Sequence, residues 1–135
     1  MSDCVFCQIV AGEIPSHRVY EDDVTVAFMD IGQVNPGHVI VAVKEHAETI
    51  LDLTEDQAAA AFRTAHSVAG AVQAAFDPEG FTLLQANGRA GFQTVPHFHL
   101  HVLPRHTDDG VTLSWPAKNP PTEQLAEYAA MIKVG

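Results

Sequence analysis

A chain of 135 residues is long enough for one core and too short for two, so residues 1–135 are expected to form a single domain. Seventeen Asp and Glu against seven Lys and Arg give a formal charge of −10, which repels polyphosphate backbones and excludes long nucleic acid as a partner. A mean hydropathy of +0.04, no apolar run near the roughly 20 residues of a membrane span, and no basic-then-apolar leader point away from the membrane and toward the cytoplasm.

In chain order, residues 4–10 form a short apolar-rich segment before Gly12, which suits one or two helical turns with a glycine stop. Two β-rich runs, 17–20 and 24–29, flank the acidic residues Glu21, Asp22 and Asp23 and predict an antiparallel hairpin. A third strand over 38–43 follows the turn Asn35-Pro36-Gly37. The longest helix is predicted to begin at Thr54, where Gln57 completes a capping box. Phe62, Ala65, Ala69, Val72 and Phe76 recur at helical spacing and predict its apolar face. Residues 77–80 stop it. A fourth strand is expected over 81–85, a glycine-containing loop over 87–92 and a fifth strand over 97–103. Leu125, Tyr128, Ala129 and Ile132 mark a short terminal helix, and Trp115, ahead of it, is expected to pack. Strands, helix, strands, helix is the order of an α+β fold with a mainly antiparallel sheet.

The fifth strand carries the strongest signal. On a strand alternate side chains share a face, so His97, His99 and His101 point one way while Phe98, Leu100 and Val102 point into the core. Adjacent imidazoles repel once two are protonated, so the cluster needs a chemical reason. Two chemistries fit: a metal site built on His-x-His, or covalent catalysis in which a neutral imidazole attacks phosphorus. A hydrolytic metal centre recruits a carboxylate nearby, and residues 88–106 contain none. The same stretch, with Asn87 just before it, offers Gly88, Gly91, Gln93 and Thr94, donors and flexible backbone of the kind that cradles phosphate. Phosphate handling is the better fit.

With these residues in place the chain resembles the histidine-triad (HIT) family, in its bacterial branch related to the histidine-triad nucleotide-binding proteins. The resemblance rests on the triad with its apolar followers, on Cys4-Val5-Phe6-Cys7, Phe28-Met29-Asp30-Ile31, Asn35-Pro36-Gly37-His38 and Lys44-Glu45-His46, and on Gln93-Thr94-Val95. It implies a five-stranded antiparallel sheet with one long helix and short terminal helices, in a homodimer. It also implies a purine nucleotide ligand, with His99 as nucleophile, His101 contacting phosphate and leaving group, and His38 as their polar neighbour. Gln93, Thr94 and Asn87 would hold phosphate oxygens, and Asp30 would bind the ribose. Val5, Phe6, Ile9, Phe28 and Ile31 would form the purine slot. The implied reaction is hydrolysis of a nucleoside phosphoramidate through a nucleotidyl-histidine, with diadenosine polyphosphate hydrolysis or non-catalytic nucleotide binding as the alternatives.

Cys4 and Cys7 by themselves read as a redox pair, half of a metal site or two buried hydrophobes. The resemblance adds His46 and His97 to them as a structural zinc site. The chain departs from its relatives at Phe92, where glycine is usual, and Pro96 suggests a sheet edge or bulge just ahead of the triad.

Overall fold

The computed structural model describes residues 3–135. Cys4 caps the first helix, α1 (Val5–Val10), with its Sγ accepting from the Cys7 N–H. The hairpin follows as β1 (Arg18–Glu21) and β2 (Thr25–Met29), turned by Asp22, whose carboxylate accepts from the N–H groups of Val24 and Thr25. After β3 (Val39–Val43) comes the long helix α2 (Glu55–Phe76), opened by the expected Thr54–Gln57 capping box. It closes on Asp77 in the left-handed region. Strands β4 (Gly80–Gln85) and β5 (His99–Arg105) and the helix α3 (Thr122–Met131) complete the fold.

The five strands form one antiparallel sheet in the order β1-β2-β3-β5-β4. One face carries Ala27, Val39, Val41, Val43, Phe98, Leu100 and Val102 against Ala61, Ala65, Val68 and Val72 of α2. The other carries Val26, Phe28, Ile40 and Ala42 beneath Phe6 and Ile9 of α1. The helix therefore takes one face and leaves the other to the N-terminal segment and the histidines.

Three expectations need correction. The buried face of α2 runs through Ala61, Thr64, Ala65, Val68 and Val72, whereas Phe62 is 60% exposed. Phe76 is half exposed and fills the space beside Gly37, whose φ of +99° and lack of a side chain let the ring approach: a Cβ there would lie 2.8 Å from it. Pro96 marks no edge, because β5 lies between β3 and β4 and begins only at His99. Trp115 is 80% exposed instead of packed, and α3 has no buried residue.

Candidate active site

His99 and His101 stand on β5, opposite Ala42 and Ile40 of β3, and face a cleft of about 590 Å³ on the α1 side of the sheet. Val5, Phe6, Ile9, Phe28, Ile31, Asp30 and Thr94, all named from the sequence, line it. Ile14, Pro15, Ser16, His17, Met29, Ile40 and Val95 line it as well and were not foreseen. The segment 14–17 carries no motif, and it reaches the cleft because it links α1, packed on this face of the sheet, to the edge strand β1.

The imidazoles divide by which nitrogen the backbone occupies. Carbonyl oxygens only accept, so a ring nitrogen bonded to one carries hydrogen. His99 Nδ1 donates to the carbonyl of His97 at 2.7 Å, which leaves Nε2 with its lone pair. That Nε2 has no hydrogen-bond partner, and among the described residues no buried side-chain nitrogen or oxygen lacks one, so it opens onto the cleft. The rest of the ring is covered: the residue is 6% exposed and packs edge-on against Phe6. Burial is the main influence pushing His99 and His101 below the ordinary imidazole value, and both rings favour the neutral form.

His38 lies behind His101. Its Nδ1 accepts from the Val34 N–H at 3.2 Å, and its Nε2 is 2.9 Å from His101 Nδ1 and 3.3 Å from Asp30 Oδ2. Burial lowers its pKa too, against the opposing pull of Asp30.

His97 shares the triad's face but not its cleft. It precedes β5, is 0% exposed, and donates from Nε2 to the carbonyl of Val43 at 2.6 Å, so the expectation that all three imidazoles meet cleft or water fails here. Its Nδ1 lies 3.4 Å from Cys4 Sγ, 3.5 Å from Cys7 Sγ and 3.3 Å from His46 Nδ1, and Cys7 Sγ is 3.4 Å from His46 Nδ1. The four donor atoms lie within 4.8 Å of one another. This set fits a tetrahedral ion: two thiols, two imidazoles, and a carbonyl partner that fixes His97 with its lone pair toward the sulfurs.

Gln93 and Asn87 do not line the cleft. The Gln93 amide accepts from the Gly88 N–H and donates to the carbonyls of Glu48 and Val95. Asn87 accepts from the Ile50 N–H and pairs with Gln85. Both brace the loop ahead of the triad, whose Phe92 sits at φ +69° with its ring 88% exposed. Arg105 is likewise engaged, with Asp109, Thr82 and the carbonyl of Val111.

An open antiparallel sheet that presents alternate histidines of an inner strand to an apolar cleft defines a histidine-triad protein. The HIT domain family model matches residues 11–108, and the chain belongs to that family. Its fold superposes on a HIT family protein from Bacillus anthracis with a TM-score of 0.92 at 39% identity, covering 96% of this chain and 94% of that one. It is 35% identical over 115 residues to adenosine 5′-monophosphoramidase hnt1 of Schizosaccharomyces pombe, 84% of each chain. A zinc-bound histidine-triad family protein from Mycobacterium smegmatis aligns with a TM-score of 0.77 at 30% identity, covering 96% of this chain and 98% of that one. Among the described residues no helix is long and apolar enough to cross a membrane.

Proposed function

We propose that the chain hydrolyses purine nucleoside 5′-phosphoramidates in two displacements at the α-phosphorus. The observation that carries this reading is the His99 ring, held neutral with Nδ1–H on a carbonyl and Nε2 bare toward the cleft. The purine stacks among Val5, Phe6, Ile9, Phe28 and Ile31, and Asp30 accepts from the ribose hydroxyls. Thr94 and the loop that Gln93 and Asn87 brace face the phosphate.

In the first displacement the Nε2–phosphorus bond forms as the phosphorus–nitrogen bond breaks, and His101 Nε2–H gives its proton to the departing amine. The basicity of that leaving group makes a neutral imidazole a sufficient acid. In the second, water attacks phosphorus, its proton returns to His101, and the bond to His99 Nε2 breaks. The nucleoside monophosphate and the free amine are the products.

Cys4, Cys7, His46 and His97 would hold zinc, which supplies a closed structural clamp between α1 and the triad. Because His97 also offers the carbonyl that orients His99, the clamp acts on catalysis only through position. We also infer a homodimer, from the exposed apolar residues Leu125, Tyr128, Met131 and Ile132 of the C-terminal segment; light scattering should give twice the chain mass.

The reading is tested by comparing turnover of adenosine 5′-phosphoramidate with that of diadenosine tetraphosphate. The phosphoramidate is expected to be preferred, since Arg105, the basic residue at the end of the triad strand, is tied to Asp109 outside the cleft. Preference for the dinucleotide would replace this assignment, and turnover of neither would leave nucleotide binding alone.

A further inference from the structure

We infer that Gln33 is a positioning residue that sets which nitrogen of His101 carries hydrogen, acting through Val34 and His38. The inference rests on the reading of the cleft above. Gln33 lies in the connection between β2 and β3, and its amide uses every valence on the backbone around it. Nε2 donates to the carbonyls of Asp30 at 2.5 Å and His38 at 2.7 Å. Oε1 accepts from the N–H groups of Gly37 at 3.0 Å and His38 at 3.1 Å. An amide has two hydrogens and two lone pairs, so all four are engaged. Residue 38 is thus gripped by its own N–H and its own carbonyl.

The grip has a directional consequence. It closes the loop so that the Val34 N–H meets His38 Nδ1 at 3.2 Å. A backbone N–H only donates, so Nδ1 carries no hydrogen and a neutral His38 must carry it on Nε2. That nitrogen faces His101 Nδ1 at 2.9 Å and the carboxylate of Asp30 at 3.3 Å, both able to accept. His101 Nδ1 then receives, and its own hydrogen falls on Nε2. Asp30 is fixed in turn, its Oδ1 accepting from the Gly32 N–H at 2.7 Å.

The same chain of donors argues against a cation among Asp30, His38 and His101, whose ligand atoms also lie within 4.8 Å of one another. A metal on His38 Nε2 would drive its hydrogen to Nδ1, against the Val34 N–H. These imidazoles relay hydrogen-bond direction, whereas those of the cysteine cluster leave lone pairs converging on one point.

Nitrogen-15 spectra of the imidazoles test this directly in the full chain. The wild type should show His38 and His101 with hydrogen on Nε2, and Gln33→Ala should give a mixture at both. Turnover should then fall about tenfold or more for a phosphoramidate with an alkylamine leaving group, which needs a proton, and less than about threefold for a nitrophenyl nucleotide ester, which does not. Gln33→Glu keeps the size and the acceptors but loses the donors to Asp30 and His38, and should show the same tautomer loss if the alanine variant does not fold. A wild-type His101 with hydrogen on Nδ1, unchanged tautomers in both variants, or equal slowing of both substrates would overturn the inference. If neither substrate is turned over by the wild type, the proposed activity falls while the tautomer result still decides the role of Gln33.

Discussion

The first two histidines of the triad segment present opposite ring nitrogens to their surroundings. At His97 the backbone takes Nε2 and turns Nδ1, on a fully buried ring, toward the two half-buried sulfurs of Cys4 and Cys7. Two residues on, the backbone takes Nδ1 and turns Nε2 toward a cleft. The residue type is constant; the carbonyl that each ring meets differs. In the function proposed, each ring's role follows from the outer partner, which fixes the tautomer, as much as from the histidine itself.

Substitutions on the cleft side and on the cysteine side should therefore fail differently. His99→Ala should reduce turnover by at least about 10⁴-fold while leaving the thermal midpoint nearly unchanged, since a nucleophile is lost and the sheet is kept. His101→Ala should cost about 10²-fold with an amine leaving group and much less with a nitrophenol, measured side by side. Cys4→Ser should invert the pattern: zinc content falls, the thermal midpoint drops by roughly 10 °C, and turnover per folded molecule stays within about tenfold. A Cys4→Ser protein with full zinc and wild-type stability would break the division.

Acid should sharpen the comparison on the cleft side. Burial holds His38 and His101 below their ordinary value of 6.5, so the unfolded chain takes up those protons at higher pH than the folded one. Their contribution to stability is complete above pH 6.5 and lost as pH falls below it through the folded values. The urea midpoint should fall between pH 7 and pH 5, and by less in a His38→Gln variant. The smallest effect is expected at Phe92→Gly, where relief of the left-handed backbone outweighs the added chain entropy by about 0.5 kcal/mol, read as a higher urea midpoint.

The parts of this picture legible in sequence are those written in local periodicity. Alternation along residues 97–103 placed Phe98, Leu100 and Val102 in the core, and the Thr54–Gln57 spacing placed the start of α2. The division of labour was legible only through resemblance, because it depends on partners far along the chain: Cys4 meets His97 across 93 positions. The face of α2 was misread because Thr64, polar by type, is buried through its 2.7 Å hydrogen bond to Thr25, and the buried stripe runs through it and past Phe62. Gln93 and Asn87 were assigned to phosphate through the resemblance, and the structure engages them with backbone groups of Gly88, Val95, Glu48 and Ile50 and with Gln85. Gln33 carried no sequence signal, since a single glutamine in a polar loop looks like solvent-exposed filler.

The most direct measurement is intact-mass analysis of protein quenched in denaturant during turnover of adenosine 5′-phosphoramidate. A single nucleotidyl adduct that maps to His99 and disappears in His99→Ala is the result expected from a bare, neutral Nε2 facing the cleft. Undiminished turnover by His99→Ala, or an adduct on another residue, would contradict it.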